Sequence, residues 1–490
     1  MEAERLRIAM FSTMVTGGAG YAALRVHDAL RRLRGADSAL YVGRAERRRY
    51  PGVIRLQGAE EGCQPPRVPD LTIFSVDAPG VPDASLERII GQSDIFNLHW
   101  SARFLSVRNI GHLSRSGKPV VLTIRDMNPL TGGCHFFHGC ENWERNCESC
   151  PQFVPKDVPL PNAAFEAKKV LWDFDNITVV VLSDHTAQLV KRSPLFQRCR
   201  IEKIPNPMDV SIFKPHDREL TRAEFGVPSG KRAIAYLPSF SSSVKGSAQA
   251  VKALRLLARD VPTKDCVVLC AGDLDERLDV PFETIDVGFI SNKQRLARFY
   301  SAADVTLIPS TEETFSNTAA ESVACGTPIV GFRVGAIPEI ARGPRGRAVP
   351  VDDIDALAAS LAAFTLAETA TRSELHAYVA ETFGAEAIGR HYLRFFGDLC
   401  ADARAKASSS SPVVEAEREA EPVQRFDGVL EQYRKGRSIE MKAEQETLNR
   451  ERRTLRGRLA LLALGLRLFF SDNQAFRTKT WNFVTGRSWR

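Results

Sequence analysis

Two carboxylates, Glu313 and Glu321, lie eight residues apart within the segment 309–328. A carboxylate accepts several hydrogen bonds at once, so each of the two suits a pair of neighbouring hydroxyl groups. Between them, Phe315 to Thr318 begin a predicted helix, and the free backbone N–H groups of a helix start suit a phosphate. The spacing therefore predicts two carboxylates beside a candidate phosphate site.

The elements around the two carboxylates should hold them on one surface. The apolar run Val305 to Ile308 predicts a buried strand, and Thr318 to Cys325 predicts a helix that ends at Gly326. About two helical turns separate the carboxylates, so both should face the crevice where open α/β sheets bind ligands. Solvated carboxylates on a surface helix are the alternative.

Strand and helix patterns alternate through both halves of the chain. Strands are predicted at 7–12, 38–43, 94–99, 119–125 and 177–182, and again at 233–237, 266–270, 305–308 and 329–332. A glycine-rich loop, Thr16 to Gly20, separates the first strand from a predicted helix at 21–33. The alternation predicts an α/β fold with two doubly wound parallel sheets in two domains side by side.

The two series are joined by a stiff connection, Ile204 to Pro215, which holds three prolines and has no helical or strand periodicity. It resembles the P-N-G-x-D-x-x-x-F-x-P linker of GT-B glycosyltransferases, with Pro207 in place of the usual glycine. The Glu313 to Glu321 spacing resembles the E-x7-E signature of retaining glycosyltransferase family 4. An arbitrary proline-rich loop is the alternative.

The resemblance covers about residues 5–400 and implies a GT-B fold, in which two Rossmann-like domains face a central cleft. It implies an acceptor domain at 1–204 with a cysteine-rich insert at 131–152, and a nucleotide-sugar donor domain at 205–385. A return helix at 386–400, a flexible linker at 401–422 and a basic, amphipathic helical tail at 423–490 complete the expected organisation.

The function that the resemblance implies is that of a retaining glycosyltransferase, similar to those of bacterial polysaccharide biosynthesis. A sugar would pass from a nucleotide-diphosphate sugar, the donor substrate, to an acceptor hydroxyl on a glycan or a lipid-linked acceptor. The family generally needs no catalytic metal. A phosphorylase or epimerase on the same scaffold, and a non-catalytic nucleotide-sugar-binding scaffold, are the alternatives.

Family roles map onto particular residues of the donor domain and the glycine-rich loop. By resemblance, Glu313 contacts hydroxyl groups of the donor sugar and Glu321 contacts the nucleotide ribose. The expected donor-binding residues are Gly17, Gly18, Lys245, Phe315, Ser316, Asn317, Thr318 and Glu321. Phe240 stands where relatives usually carry an arginine, so Arg25 or Arg333 is an alternative source of positive charge.

In the first domain, polar residues follow two predicted strands: His99 follows one, and Arg125 and Asp126 follow the other. With Glu313 they form the expected catalytic set. Many relatives have a histidine before this aspartate, and an arginine cannot shuttle protons at physiological pH. A structural histidine is an equally good interpretation of His99.

Four cysteines follow closely, Cys134, Cys140, Cys147 and Cys150, with the spacing C-x5-C-x6-C-x2-C. Four sulfurs within a short glycine-rich insert could form a tetrahedral structural zinc site. Buried free thiols are the second interpretation, and disulfides are the third, because the remaining cysteines stand singly in apolar elements, as is typical of a reducing, cytoplasmic location.

The formal net charge of +7 is concentrated in one segment. Residues 450–490 contain ten basic and two acidic residues, so the rest of the chain is nearly neutral and nucleic acid is not an expected partner. The apolar run 459–470 would span only ~18 Å as a helix, which is too short to cross a bilayer. It predicts an interfacial helix on an anionic membrane surface, at the inner face, with docking on protein as the alternative.

Overall fold

The computed structural model describes residues 5–44, 49–56, 74–76, 80–154, 156–238, 243–272, 278–366, 371–409 and 421–436. The chain divides into two compact units, Met1–Phe426 and Asp427–Arg490. Of the second unit, residues 427–436 are described, and they are helical. The first unit contains both predicted α/β domains, and the candidate site lies within it.

The first domain is built on a seven-stranded parallel sheet with strand order β3-β2-β1-β4-β5-β6-β7. Its elements are β1 (Leu6–Ser12), α1 (Gly17–Arg31), β2 (Ala36–Val42), β3 (Val53–Arg55), α2 (Asp83–Gln92), β4 (Ile95–Leu98), α3 (Val107–Ser114), β5 (Val120–Thr123), α4 (Leu160–Leu171), β6 (Ile177–Val181), α5 (Asp184–Arg192) and β7 (Ile201–Lys203). The central strands are short runs of β-branched and other apolar residues and are buried, as expected for a sheet covered on both faces.

The second domain repeats this architecture with a six-stranded parallel sheet, in the order β10-β9-β8-β11-β12-β13. Its elements are α6 (Arg218–Phe225), β8 (Arg232–Tyr236), α7 (Ser247–Leu257), β9 (Cys266–Cys270), β10 (Glu283–Asp286), α8 (Lys293–Ala302), β11 (Val305–Ile308), α9 (Asn317–Ala324), β12 (Ile329–Phe332), α10 (Ile337–Ile340), β13 (Gly346–Val349), α11 (Ile354–Leu366) and α12 (Arg372–Phe383), followed by α13 (Ala385–Ser409). The predicted α/β class with two doubly wound sheets is confirmed.

Each sheet has one point at which the strand order reverses direction. In the first sheet it lies between β1 and β4, where Phe11 pairs with Leu98. In the second it lies between β8 and β11, where Tyr236 pairs with Leu307. Ligands of doubly wound sheets bind outside the carboxyl ends of the strands at such points. The residues that follow β4 and β11 therefore have the positions expected of a site.

The helix α13 leaves the second domain and packs on the first. Its Tyr392 and Phe396 are buried in one apolar cluster with Met10 of β1 and Leu24 of α1. With 25 residues it is longer than the predicted return helix, and its last residues, 401–409, fall where a flexible linker is predicted. Residues 410–420 lie outside the described part of the chain.

The two connections between the domains run side by side. The N–H of Met208, in the proline-rich linker, donates to the carbonyl of Phe383, and the N–H of Ala385 donates to the carbonyl of Met208. The linker is thus hydrogen-bonded to the junction between α12 and α13. This pairing fixes the chain at the boundary where any hinge motion of the two domains must occur.

Among the described helices, none combines the length and the apolar character that crossing a bilayer requires. The predicted interfacial helix at 459–470, with the rest of the basic segment 450–490, lies outside the described residues.

Candidate functional site

The site is built where strand ends of the two domains meet. His99 follows β4, Arg125 follows β5, and Glu313 follows β11 of the second domain. The hydroxyl of Thr314 donates to the carbonyl oxygen of Arg125 at 3.1 Å, and the hydroxyl of Ser183 donates to the carbonyl oxygen of Thr314 at 2.9 Å. Hydrogen bonds thus hold the segment after β11 against the first domain.

Each carboxylate of the predicted pair has a cationic partner. The ammonium of Lys245 is 2.7 Å from Oε1 of Glu313. The guanidinium of Arg25, on α1 of the first domain, is 2.8 Å from Oε1 of Glu321. Arg25, considered from the sequence as a substitute cation for phosphate, therefore contacts the predicted ribose carboxylate. The structure brings both carboxylates and Lys245 to the same side of the second domain and adds a cation from the first.

The start of α9 is strained and has unpartnered polar groups. Ser316 caps this helix with φ +80°, a backbone conformation that costs free energy for any residue other than glycine. Its hydroxyl is buried and has no hydrogen-bond partner among the described residues. The first N–H groups of the helix, from Asn317 and Thr318 onward, have no partner within the helix. Phe315 packs edge-on against Phe383 and anchors the turn in the core.

The glycine-rich sequence after β1 forms the first turn of α1. The helix begins at Gly17, so the prediction of a loop up to Gly20 is wrong by four residues. Gly17 itself adopts φ +69°, a left-handed conformation that glycine takes without steric cost. A Cβ added to Gly17 or Gly18 would meet no atom within 4 Å. The backbone here is open to the close approach of a ligand.

A second glycine positions the lysine. Lys245 ends a short 3-10 turn, and Gly246 follows it with φ +70°. A Cβ at Gly246 would lie 1.8 Å from the carbonyl oxygen of Pro309, so the turn packs tightly against the chain that leaves β11. This close approach places the Lys245 ammonium next to Glu313.

On the first domain, the Arg125 guanidinium is bound on two sides. Its Nε and Nη2 lie 3.2 and 2.9 Å from Nδ1 of His99, and its Nη1 donates to the side-chain oxygen of Asn206 in the linker. The Asn206 amide then donates to Asn317 Oδ1, at the start of α9, at 3.1 Å. Burial lowers the pKa of Arg125 to about 10 and the pKa of His99 well below its ordinary value.

Asp126 is enclosed by other partners. One of its oxygens lies 2.5 Å from Nε1 of Trp100 and 2.5 Å from Nδ1 of His135, and the other accepts the N–H of Asn128 at 3.0 Å. His135 in turn contacts the hydroxyl of Ser75 through Nε2 at 3.0 Å. Asp126 follows Arg125 in the sequence, but its carboxylate belongs to a separate hydrogen-bond network that holds the start of the cysteine-rich insert.

The four cysteines of the insert line one small cavity of about 10 Å³, roughly the space of one water molecule. Cys134, Cys140, Cys147 and Cys150 are all free thiols, and burial raises the pKa of Cys147 to about 12. Within the described ranges, no group of three or more histidine, cysteine, aspartate or glutamate side chains is arranged to hold a metal ion. The structural-zinc prediction is not confirmed.

Glu312, which is not among the residues predicted from the sequence, connects the cysteine-rich insert to the second domain. Its two carboxylate oxygens accept the backbone N–H groups of Phe137 and His138 at 2.8 and 2.7 Å. The only signal in the sequence is the doubled Glu312-Glu313, because the insert lies more than 170 residues away. Phe240, the other departure from the family pattern, falls in 239–242, outside the described residues.

The comparisons with known proteins give the sequences and folds to which the chain is similar. Residues 231–365 match the family model described as "Glycosyl transferases group 1". Among curated proteins, the chain is 29% identical over 270 residues to D-inositol 3-phosphate glycosyltransferase of Mycobacteroides abscessus; the match takes in 52% of this chain and 59% of the relative. The namesake of Mycobacterium marinum is 27% identical over 382 residues, 73% of this chain and 75% of the relative. The chain thus spans less than two thirds of the length of several curated relatives.

Solved structures share the fold at low sequence identity. Sucrose-phosphate synthase of Thermosynechococcus elongatus aligns with a TM-score of 0.56 and 18% identity, over 81% of this chain and 100% of that chain. HepE of Anabaena, solved in complex with UDP, aligns with a TM-score of 0.54 and 15% identity, over 80% of this chain and 100% of that chain. The chain therefore has the GT-B fold, and residues 231–365 of its second domain are similar to the group 1 glycosyl transferases.

Proposed function

We propose that the chain is a retaining glycosyltransferase that moves a sugar from a nucleotide-diphosphate sugar to an acceptor hydroxyl. The observation that carries the proposal is the arrangement around α9. Glu313 and Glu321 flank a helix start at which the strained Ser316 has an unpartnered buried hydroxyl, and cations from both domains reach the two carboxylates. A ligand with a phosphate and vicinal hydroxyl groups would satisfy these groups together.

The ion pairs are compatible with a bound donor. Each cation contacts one oxygen of its carboxylate, and an ionised carboxylate has about four acceptor positions. Glu313 can therefore remain paired with Lys245 and still accept hydrogen bonds from sugar hydroxyl groups. Glu321 can likewise remain paired with Arg25 and accept hydrogen bonds from the ribose hydroxyl groups. The Lys245 ammonium next to the sugar site is then placed to neutralise the leaving diphosphate.

Retention follows most simply from attack on the face that the diphosphate leaves. The bond from the anomeric carbon to the phosphate oxygen breaks, and its electron pair goes to the phosphate. The acceptor oxygen bonds to the anomeric carbon on the same face, and its proton passes to a leaving phosphate oxygen. This route needs no protein base, which agrees with an Asp126 already hydrogen-bonded and a Glu313 paired with Lys245.

The donor test uses a panel of nucleotide sugars, beginning with UDP-glucose because a structural neighbour is solved with it. Glu313→Gln should lower transfer by roughly 10- to 100-fold, since hydrogen bonds to a charged group contribute about 1.5–3 kcal/mol. Glu283→Gln, on the exposed edge strand β10 and paired with Lys231, is the matched control and should leave the rate unchanged. The anomeric configuration of the product, read by NMR, decides between retention and inversion.

Turnover also separates the alternatives. Consumption of nucleotide sugar without acceptor, yielding an epimer, would indicate an epimerase; release of a sugar phosphate would indicate a phosphorylase. A protein that binds donor in calorimetry but turns over none of the panel would be a scaffold. Two residues favour the scaffold: Arg125, which stands where many relatives have a histidine, and Phe240, which stands where they usually have an arginine.

For the acceptor, we propose a membrane-associated glycan or lipid-linked hydroxyl, because of the basic segment 450–490. Full-length protein should bind vesicles that contain anionic lipid, and deletion of 450–490 should release it. Equal binding by the two forms would contradict the proposal. The curated relatives named for D-inositol 3-phosphate suggest a soluble phosphorylated polyol as the acceptor to compare.

For the cysteine-rich insert we propose a structural role, with zinc as the metal that the sequence predicts. Its support is that Cys134, Cys140, Cys147 and Cys150 line one cavity, and that Glu312 holds the same insert against the donor segment. Elemental analysis should find about one equivalent of zinc, lost in the Cys147→Ser, Cys150→Ser double variant. A metal-free wild type with four titratable thiols would show instead the reduced cluster seen in the structure.

A further inference from the structure

The contact between Arg125 and His99 determines where the imidazole carries its proton. Both guanidinium nitrogens that approach His99 point at the same ring atom, Nδ1, at 3.2 and 2.9 Å. A guanidinium can only donate hydrogen bonds, so Nδ1 must be the acceptor and carries no hydrogen. In a protonated imidazole, the Nδ1–H would face the N–H groups of the guanidinium, and no hydrogen bond could form. His99 is therefore neutral, with its hydrogen on Nε2.

The Nε2–H of His99 has no partner of its own. The atom is buried, and no other described residue lies within hydrogen-bonding distance of it. The whole side chain is 2% exposed, so bulk water does not satisfy it. A buried donor without an acceptor costs free energy, and such groups recur where a ligand supplies the acceptor.

Arg125 is itself tied to the donor side. Its Nη1 donates to Asn206, and Asn206 donates to Asn317 at the first position of α9. Within the described residues, Arg125 forms no ion pair. Its nitrogens are occupied by His99 and the linker, so it is held in place rather than directed at a phosphate.

We propose that Arg125 is a positioning residue that fixes His99 as the Nε2–H tautomer, so that His99 donates a hydrogen bond to a sugar oxygen of the donor bound against α9. His99 then does not act as a proton acceptor in this protein. The proposal rests on the function proposed above for the ligand, but the tautomer itself is a property of the free protein.

The surroundings of His99 support its neutral state. Burial is the main cause that lowers its pKa, and the positive charge of Arg125, after β5, adds to it, as does His27, on α1, when it is protonated. Burial lowers the pKa of Arg125 only to about 10, so its guanidinium stays charged at neutral pH. The pair thus consists of a charged donor and a neutral acceptor over the physiological range.

The deciding experiment is a long-range ¹H–¹⁵N NMR spectrum of histidine-labelled protein at pH 7, with His99→Gln used to assign the signals. The wild type should show Nδ1 of His99 as an unprotonated nitrogen and Nε2 as a protonated one. Arg125→Lys, which retains a charged donor, should keep this pattern, and Arg125→Met should add the other tautomer. Arg7→Met, at an exposed arginine paired with Asp94 in the same domain, is the control.

A protonated Nδ1 in the wild type, or an Arg125→Met spectrum identical to the wild type, would overturn the proposal. The Arg7→Met control and retained melting temperatures distinguish a lost contact from a misfolded protein. This measurement needs no substrate, so it stands even if the proposed activity fails.

A second experiment compares the affinity of the protein for UDP with its affinity for UDP-glucose, both measured by calorimetry. His99→Phe and Arg125→Met should each weaken UDP-glucose roughly tenfold, the effect of one lost hydrogen bond, and change UDP less than twofold. Equal losses for both ligands would contradict a contact to the sugar. Failure of the wild type to bind either ligand would count against the donor assumed in the proposed function and not against the tautomer.

Discussion

Replacing Arg25 should destabilise the protein far more than replacing Lys245, although each removes the cation from one of the two predicted carboxylates. The side chains of the Arg25–Glu321 pair are 14% and 10% exposed, whereas those of the Lys245–Glu313 pair are 41% and 15% exposed. Loss of one partner from a buried pair leaves an uncompensated charge and costs about 3–5 kcal/mol. The Lys245 ammonium is the more exposed of the two cations, so the loss of its partly solvated pair should cost less, about 1 kcal/mol.

The expected cost for Arg25→Met is about 3 kcal/mol, at the lower end of that range. Two groups remain near the Glu321 carboxylate and reduce the cost. The hydroxyl of Tyr300 donates to its second oxygen at 3.5 Å, and the charge of Lys293 is close enough to interact with it. Methionine retains apolar contact with the Phe213 ring, over which the guanidinium lies.

The assay is urea unfolding of wild type, Arg25→Met, Glu321→Gln and the double variant, with Lys245→Met as the matched comparison. Glutamine removes the buried charge, so the double variant should recover most of the stability that Arg25→Met loses. Because the pair joins two domains, fluorescence and circular dichroism must give the same transition before free energies are compared. The reasoning would be refuted if Lys245→Met cost as much as Arg25→Met, or if the double variant were no more stable than Arg25→Met.

Substitutions at two glycines, one serine and one histidine test three effects: steric collision of an added Cβ, backbone strain, and titration of a buried imidazole. Gly246→Ala should lower the free energy of unfolding by more than Gly230→Ala does. Both glycines have positive φ, which costs alanine about 1 kcal/mol at either position. Only at Gly246 would the added Cβ also collide with other atoms, because the space around Gly230 is open. Equal losses would contradict the collision. Ser316→Gly should stabilise the fold by roughly 1 kcal/mol and weaken UDP-glucose binding in calorimetry; unchanged affinity would show that the hydroxyl does not contact donor. Burial lowers the pKa of His185, whose Nδ1 accepts an N–H from the second domain, so the unfolded chain binds more protons below pH 6.5. Stability should therefore fall as the pH drops below about 6.5, and His185→Gln should flatten that slope; parallel stability curves would refute it.

The sheets could be predicted because their information is local. Short apolar runs between turn residues located β9, β11 and β12 at their observed bounds. The predicted start of α1 and the predicted end of α13 differ from the observed ones, because local sequence signals compete there. The glycines at 17 and 18 predicted a loop but form the first turn of α1, and α13 continues to Ser409 because Ala and Lys favour helix beyond the predicted end at 400.

The contacts within the site could not be predicted because they join distant segments. Arg25 and Glu321 lie 296 residues apart, and Glu312 and Phe137 lie 175 apart. No periodicity relates such residues; their pairing depends on how two complete domains are placed by the linker and α13. Types and spacing located the carboxylates, whereas only the assembled structure assigns a partner to each.

Those partners divide the predicted acidic residues into two kinds. Glu313 and Glu321 each meet one cation through one oxygen and retain acceptor positions, as a ligand-binding carboxylate must. Asp126 uses one oxygen for two ring N–H contacts and the other for a backbone N–H, and it is buried. The Asp126 carboxylate could contact a ligand only if its hydrogen bonds to Trp100 and His135 broke. Those hydrogen bonds hold the cysteine-rich insert, to which Glu312 of the second domain is also hydrogen-bonded. We therefore infer that Asp126 orders the junction between the domains, and that the acidic groups in contact with donor come from the second domain.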